Sequence, residues 1–339
     1  MSATTPPAAR LSPLDAAQQA FGHTRRHLFP FRFERWLALG FVAFLDQCGR
    51  SQAGLGLRLP GGLPDHGGGG GGKGPGPVLS DVGAWLAAHV MVVMAIAAVV
   101  LVVVLCFTAL VLWINSRGVF MYVDDVATGR ADVSRPWREH AARADSYFAW
   151  SFGLTVAALT GGIVLLVAAA LVGIRMARGH GSLAAGIAAL VVLVGVFLVL
   201  LILSALASLA LRDFVAPLQM RTASSCGTAV TLFLGLLRAH PGTFAVYVLL
   251  KIVFALVLGF VVTVAACLTC CCALIPVVTQ TLLQPAFYFE RAWPLCLLRQ
   301  LGYDLLPPVP IPPVPTPPVL LPRSSDVTFG TKEEPPHVP

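Results

Sequence analysis

The residues best suited to chemistry are four cysteines in the stretch Cys267-Leu268-Thr269-Cys270-Cys271-Cys272. Cys267 and Cys270 have the Cys-x2-Cys spacing of zinc ligands, but a structural zinc site needs a second pair of ligands. The nearest histidine, His240, is separated from them by a predicted membrane span. Cysteine is also a small, readily buried side chain that packs well at a tight turn. We interpret the cluster as a packed turn and assign no metal ligand, with metal or redox chemistry as the alternative.

Three charged residues are the next candidates. Asp124 and Asp125 suggest metal binding or acid–base chemistry, but adjacent residues of a helix point about 100° apart. No histidine or further carboxylate motif surrounds them, so we interpret the pair as a solvated face. Lys251 lies within an apolar run. We interpret it as reaching back to the membrane interface, with buried pairing or a transport role as the alternative.

Catalytic motifs are not found in the sequence. It contains no serine in a G-x-S-x-G turn and no H-E-x-x-H. The glycine tract at 67–72 has neither the preceding strand nor the following Gly-Lys-Ser/Thr of a phosphate-binding loop. We therefore expect a protein that is not an enzyme, and we assign no catalytic, cofactor-binding or metal-binding residue.

The candidate residues described above lie within or between long apolar runs, so the structure of these runs determines where the residues are placed. Hydrophobic residues form 57% of the chain and charged residues 12%, whereas soluble proteins contain about 25% charged residues. Residues 243–291 carry Lys251 as their only full charge before Glu290. A bilayer core of about 30 Å takes roughly 20 helical residues, so this run must fold back on itself. It predicts a transmembrane hairpin with the cysteine cluster at its turn.

The same length argument predicts the fold class, an all-α polytopic transmembrane bundle with surface amphipathic helices at 214–242. About six spans are expected, at 33–48, 83–114, 147–174, 183–211, 243–266 and 273–289. The alternative is five spans plus an interfacial helix at 33–48, where the apolar run is short. Residues 115–145 are predicted to be the main polar loop, and Arg212-Asp213 and Asp46 to mark span ends. Gly153, Ala157 and Gly161 have the small-xxx-small spacing of closely packed membrane helices.

Composition divides the chain into three parts. Residues 1–20 are predicted to be a disordered N-terminus, and residues 304–339 a proline-rich disordered tail. Residues 21–303 form the predicted helical membrane domain, which a flexible glycine-rich linker interrupts at 49–80. The proline spacing in the tail favours extended polyproline II geometry.

Arginine placement predicts the orientation. If residues 33–48 cross the membrane, one face collects the N-terminal arginines, those of the polar loop and those of the C-terminus, whereas the other face has few. The positive-inside rule then favours six crossings with both termini cytoplasmic, in a bacterial inner membrane. The net charge of +7 is explained by topology and anionic headgroups, so we expect no nucleic-acid partner.

The order of several short motifs carries a family resemblance. The motifs are Pro30-Phe31, Arg35-Trp36, Ser116-Arg117-Gly118, Pro136-Trp137, Ser146-Tyr147-Phe148-Ala149-Trp150, Asp213-Phe214-Val215-Ala216-Pro217, Cys271-Cys272, Pro276, Leu282-Leu283-Gln284-Pro285 and Phe289-Glu290-Arg291. Together they resemble an uncharacterised family of bacterial multi-pass membrane proteins. More loosely, they are similar to the membrane domain attached to some glycerophosphodiester phosphodiesterases. The resemblance covers most of residues 20–303 and implies no catalytic residue.

Two classes of function fit these observations. The first is a non-enzymatic membrane scaffold or interaction protein, which contacts the lipid bilayer and binds protein partners through cytoplasmic loops or the proline-rich tail. The second is a transporter or permease for a small or lipid-like substrate. A cavity reaching the midplane around Lys251 or Gln280 would favour transport; we expect none.

Overall fold

Helices form all the regular structure in the described part of the chain. The computed structural model describes residues 11–48, 85, 88–179, 182–268 and 280–306. In chain order the elements are α1 (Pro13–Leu28), α2 (Phe33–Gln47), α3 (Val90–Thr128), α4 (Ser134–Glu139), α5 (Ala141–Ala177), α6 (Leu183–Ala210), a π-helical turn (Leu211–Val215), α7 (Ala216–Thr222), α8 (Cys226–Ala239), α9 (Pro241–Leu268) and α10 (Gln284–Gln300). The predicted all-α class is confirmed.

Side-chain caps fix where several helices begin. The hydroxyls of Ser12, Ser182 and Ser225 accept hydrogen bonds from backbone N–H groups in the first turns of α1, α6 and α8. These N–H groups have no partner within the helix, so a serine at this position stabilises the helix start. α3 ends at Gly129, whose φ of +69° is in the left-handed region that glycine adopts without strain.

α1 packs antiparallel against α10. The Trp293 indole nitrogen donates to Pro13 O at 2.9 Å, and Ser12 N donates to the Gln300 side chain at 3.1 Å. Ala16 and Ala20 are fully buried in this contact. The prediction of disorder for residues 1–20 is therefore wrong for 13–20, which lie in α1; residues 1–10 lie outside the described residues.

Most of the described chain belongs to one of two regions, which we name the base and the apolar spans. The base comprises residues 11–47, 115–149, 209–251 and 284–306, and it contains every residue of the hydrophobic core cluster. The apolar spans comprise residues 90–114, 150–177, 183–208 and 252–268. In three of the four, no residue of the most apolar stretch is buried. Lipid must cover these surfaces, because water cannot solvate so much apolar area at low cost.

The predicted polar loop at 115–145 is the largest error of the sequence analysis. α3 continues as a helix to Thr128, and all thirteen residues from Asn115 to Ala127 are buried. A helix buried on every side must be surrounded by other helices, which here are α2, α4, α5, α7 and α10. The charges in this stretch predict exposure to solvent, whereas partners in the base bury them.

Four described helical stretches are long and apolar enough to cross a membrane: Val90–Thr128, Ala141–Ala177, Leu183–Thr222 and Pro241–Val264. The predicted span at 33–48 is the 15-residue helix α2. At a rise of about 1.5 Å per residue it reaches about 23 Å, less than a hydrocarbon core of roughly 30 Å. The second leg of the predicted hairpin, 273–289, lies partly outside the described residues.

Other boundaries also differ from the predictions. The span expected to end at 211 continues through the π-helical turn into α7, so Arg212 and Asp213 lie within a helical stretch. Glu290 and Arg291, expected at the cytoplasmic end of the predicted hairpin 243–291, lie in the middle of α10. The glycine linker at 49–80, the proline-rich tail beyond residue 306 and the cysteine turn after Leu268 lie outside the described residues.

Candidate functional site

Six charged residues meet inside the base, and we name them the ionic network. Asp46 lies at the end of α2, Arg212 and Asp213 in the π-helical turn, Lys251 in α9, and Glu290 and Arg291 in α10. Asp46 is fully buried and Arg291 is 1% exposed. Three carboxylates balance three cations, so the network is neutral when all six are ionised.

Arg212 joins three of the four elements. Its guanidinium forms two hydrogen bonds to the Asp46 carboxylate, through Nε at 3.3 Å and through Nη2. Its Nη1 donates to Glu290 Oε1 at 3.0 Å. A planar guanidinium suits this arrangement, because its fixed fork can hold two carboxylates at once.

Lys251 closes the other side of the network. Its ammonium lies 3.0 Å from Asp213 Oδ2 and 3.3 Å from Glu290 Oε1. The Tyr247 hydroxyl donates to the same Asp213 oxygen at 2.8 Å. The interpretation that Lys251 reaches to the interface is therefore wrong. The alternative of buried pairing is confirmed.

The Arg291 guanidinium contacts backbone carbonyls as well as carboxylates. Its Nη1 donates to Arg212 O at 3.0 Å and its Nη2 to Val119 O at 3.1 Å. The same side chain lies 3.4 Å from Asp46 Oδ1 and 3.7 Å from Asp213 Oδ1. A single guanidinium thus ties α10 to α2, α3 and the π-helical turn.

Prolines explain why free carbonyls occur here. Pro217 has no N–H to give to the residue four positions earlier and its ring crowds that carbonyl, and the helix widens at this point. In an α-helix Ala216 N would donate to Arg212 O, but here it donates to Leu211 O, one residue earlier. Arg212 O therefore accepts from Arg291 instead. Pro294 likewise leaves Glu290 O without its helical donor, and Lys251 Nζ lies 3.4 Å from that oxygen.

Gly118 and Asn115 place Asp46 in the network. A Cβ at Gly118 would lie 2.5 Å from Asp46 N, so only glycine lets α3 approach α2 this closely. Asn115 Nδ2 donates to Leu45 O at 3.2 Å and to Asp46 O at 2.6 Å. These carbonyls belong to the last turn of α2, where the ordinary i+4 donors end, and Leu45 O also accepts from Cys48 N at 3.2 Å.

A second charged group surrounds the carboxylate pair. Asp124 accepts a hydrogen bond from Arg135 at 2.5 Å and lies 3.5 Å from His140 Nε2. Asp125 is fully buried, and its Oδ1 accepts from Asp132 N at 3.2 Å. The predicted solvated face is therefore wrong, since these residues fix the connection between α3 and α4. Among the described residues, no group of three or more His, Cys, Asp or Glu is placed to hold a metal ion.

Two histidines of α1 lie against α3. His23 Nε2 donates to Val126 O at 2.8 Å, and His27 lies beside Gly129. Burial lowers the pKa of His23, although the hydrogen bond to Val126 opposes this shift. Burial also lowers the pKa of His27 from 6.5 to about 4, reinforced by His23, Arg35 and Arg26. Both imidazoles are therefore neutral near pH 7.

Cysteine chemistry has little support among the described residues. Cys226 and Cys296 are buried, and burial raises the pKa of both thiols to about 12. Neither is a nucleophile near neutral pH, because the thiolate is the reactive form. Cys267 is exposed with a free thiol, whereas Cys270, Cys271 and Cys272 lie outside the described residues.

Sequence reasoning missed the network because each member was taken alone. Asp46 was placed at a span end to reach water, but it is fully buried and paired with Arg212. A signal was present: Asp213, Glu290 and Arg291 belong to the motifs that carried the family resemblance. Gln280, the other residue singled out, is buried and donates to the Gln47 side chain at 3.4 Å.

Comparison with known proteins agrees with the extent of this fold. Residues 11–302 match the model of a family of unknown function, DUF7544. No curated protein and no solved structure matches the chain. Because the family match runs from α1 to the end of α10, the chain belongs to the DUF7544 family.

Proposed function

We propose that this member of the DUF7544 family is a non-enzymatic integral membrane scaffold or interaction protein. The observation that carries the proposal is the closed ionic network. Each of its three cations is held by at least two protein partners, and the charges balance. Charges satisfied in this way stabilise one arrangement of four helical elements. A rigid base is what a protein that presents binding surfaces at a membrane requires.

Transport of a polar solute is less well supported by this geometry. A transport site holds charged groups that exchange their partners with the solute or a proton. Here Lys251 and Arg212 already hold Glu290 between them. The cavity described below is lined by neither Lys251 nor Gln280. Its apolar lining favours the alternative of a transporter for a lipid-like substrate.

Placement in the cell is part of the proposal. The described N-terminal arginines and those of residues 115–145 lie together in the base, and this distribution supports a bacterial inner membrane protein with both termini cytoplasmic. Partner proteins would bind the cytoplasmic loops or the proline-rich tail. The similarity to the membrane domain of glycerophosphodiester phosphodiesterases belongs here too, and it rests on the short motifs alone.

Affinity purification of the tagged full-length chain from its native membrane tests the proposal. We expect partner proteins in fixed ratio to the chain. The same partners should accompany a Lys251→Met/Asp213→Asn double variant, because it keeps the network neutral. Leu256→Ala, on an exposed position of α9, is the matched control. A retained small molecule without any partner protein, lost in the double variant, would instead indicate transport.

A further inference from the structure

A groove on the surface of the base, next to an apolar span, has the form of a lipid site. It has a volume of about 660 Å³ and lies between α1, α9 and α10. This volume is within the range of about 300–1,000 Å³ that small-molecule sites occupy. Its lining is Phe21, Thr24, Arg25, Phe29, Phe254, Pro285, Ala286 and Phe289.

The groove walls are almost entirely apolar. Four of the eight lining residues are phenylalanines, and Phe21 and Phe29 are 64% and 54% exposed. The Thr24 hydroxyl already donates to Ala20 O at 2.8 Å, so it offers no free donor to a ligand. An occupant must therefore present hydrocarbon to these walls.

The position of Phe254 determines where this hydrocarbon comes from. Phe254 lies on the stretch Pro241–Val264, which is long and apolar enough to span a membrane. Its neighbours Val253 and Val257 are 51% and 57% exposed, so this side of α9 faces acyl chains. An acyl chain can therefore enter the groove without passing through water.

Arg25 supplies the one free charge at the groove. Its side chain is exposed and makes no ion pair or hydrogen bond with any residue that the structure describes. The neighbouring arginines, in contrast, have backbone partners: Arg26 donates to Gly22 O and Arg35 to Gly129 O. The segment from Arg25 to Arg35 carries four arginines and a single acid, Glu34. A guanidinium without a partner beside hydrocarbon walls is suited to a phosphate group on an acyl chain.

We propose that this groove binds one anionic phospholipid, with an acyl chain against Phe254 and Phe289 and the phosphate on Arg25. This assignment goes beyond the scaffold function and does not depend on the ionic network. A bound anionic lipid would stabilise the contact of α1 with α9 and α10 in a membrane that contains such lipids. It would also restrict the base to the leaflet that holds them.

Native mass spectrometry of the delipidated full-length chain in detergent micelles tests the site. Phosphatidylglycerol and phosphatidylcholine with identical acyl chains are the probes, and glycerol 3-phosphate is the headgroup probe without chains. We expect one tight phosphatidylglycerol adduct, a preference over phosphatidylcholine of about tenfold as for a charge-assisted contact, and no adduct with glycerol 3-phosphate.

Two variants test separately how the charge of Arg25 and the shape of the groove contribute to lipid binding. Arg25→Gln should remove the preference for phosphatidylglycerol, whereas the neighbouring Arg26→Gln, which does not line the groove, should keep it. Ala286→Phe should fill the groove and weaken both lipids, and its melting temperature will show whether it folds. Equal preferences in Arg25→Gln and Arg26→Gln would overturn the assignment. A glycerol 3-phosphate adduct as strong as that of the lipid would do the same.

Discussion

In α3 no residue before Asn115 is buried, whereas the thirteen residues from Asn115 to Ala127 all are. One continuous helix thus passes from the apolar spans into the base. The spans depend on lipid to cover their side chains, because in three of them no residue of the most apolar stretch is buried. The base depends on protein partners for its aromatic rings, its free carbonyls and its charges. This contrast places sensitivity to mutation in the base and tolerance in the spans.

Of the substitutions considered, Arg291→Met in the base is expected to cause the largest loss of stability. Methionine keeps much of the apolar stem, but two backbone carbonyls lose their donor and the network is left with an unbalanced negative charge. Removing one partner of a buried charge pair costs about 3–5 kcal/mol. We expect a loss of this size in the free energy of unfolding, measured by denaturation in mixed micelles.

The control for this loss is Leu201→Ala on α6, whose leucine is 47% exposed among the apolar spans. Because detergent or lipid covers this position, its replacement removes few protein contacts. We expect a change of less than about 0.5 kcal/mol, as for surface substitutions. Comparable losses in the two variants would mean that base and spans do not differ in the way described.

A smaller effect is expected where α2 crosses α3. In Gly118→Ala the new methyl group meets the backbone of Leu45 and Asp46, which cannot yield as a flexible side chain does. Such overpacking costs about 1–3 kcal/mol. The matched control is Gly195→Ala in α6, where an added Cβ meets nothing within 4 Å. There the higher helix propensity of alanine should leave stability equal or raised by up to about 1 kcal/mol. The opposite ranking of the two variants would contradict the close crossing.

His27 in the base should make the stability of the protein depend on pH. At pH 6.5, the ordinary pKa of histidine, His27 is about half protonated in the unfolded chain, whereas in the fold its pKa is about 4. At His27 the unfolded state then binds more protons, so the contribution of this residue to stability falls as the pH decreases from 6.5 toward 4, whereas Asp125, whose pKa burial raises to about 8, contributes in the opposite direction. We expect His27→Gln to reduce this fall by about 1 kcal/mol between pH 6.5 and pH 5. Leu201→Ala changes no titrating group and should keep the slope of the unmodified chain. An unchanged slope in His27→Gln would place the titration elsewhere.

The sequence-based predictions succeeded for the apolar spans and failed for much of the base. Length and hydropathy identified the apolar runs, because a span is a property of consecutive residues. Burial of charges in the base could not be predicted from consecutive residues, because it depends on partners that are distant in the chain. Asp46 pairs with Arg212, more than 150 residues away, and Lys251 contacts Glu290, about 40 residues away. Asn115–Ala127 was taken as a loop for the same reason. The number of charges was visible in the sequence, but their mutual pairing was not.

If the ionic network is a neutral structural unit, Lys251 and Asp213 must be energetically coupled, and a double-mutant cycle on these two residues measures that coupling. Lys251→Met leaves the network negative and Asp213→Asn leaves it positive, whereas the double variant is neutral again. We expect the double variant to have a higher free energy of unfolding than either single variant, with a coupling of about 1–3 kcal/mol. Additive losses, with the double variant the least stable of the three, would contradict it.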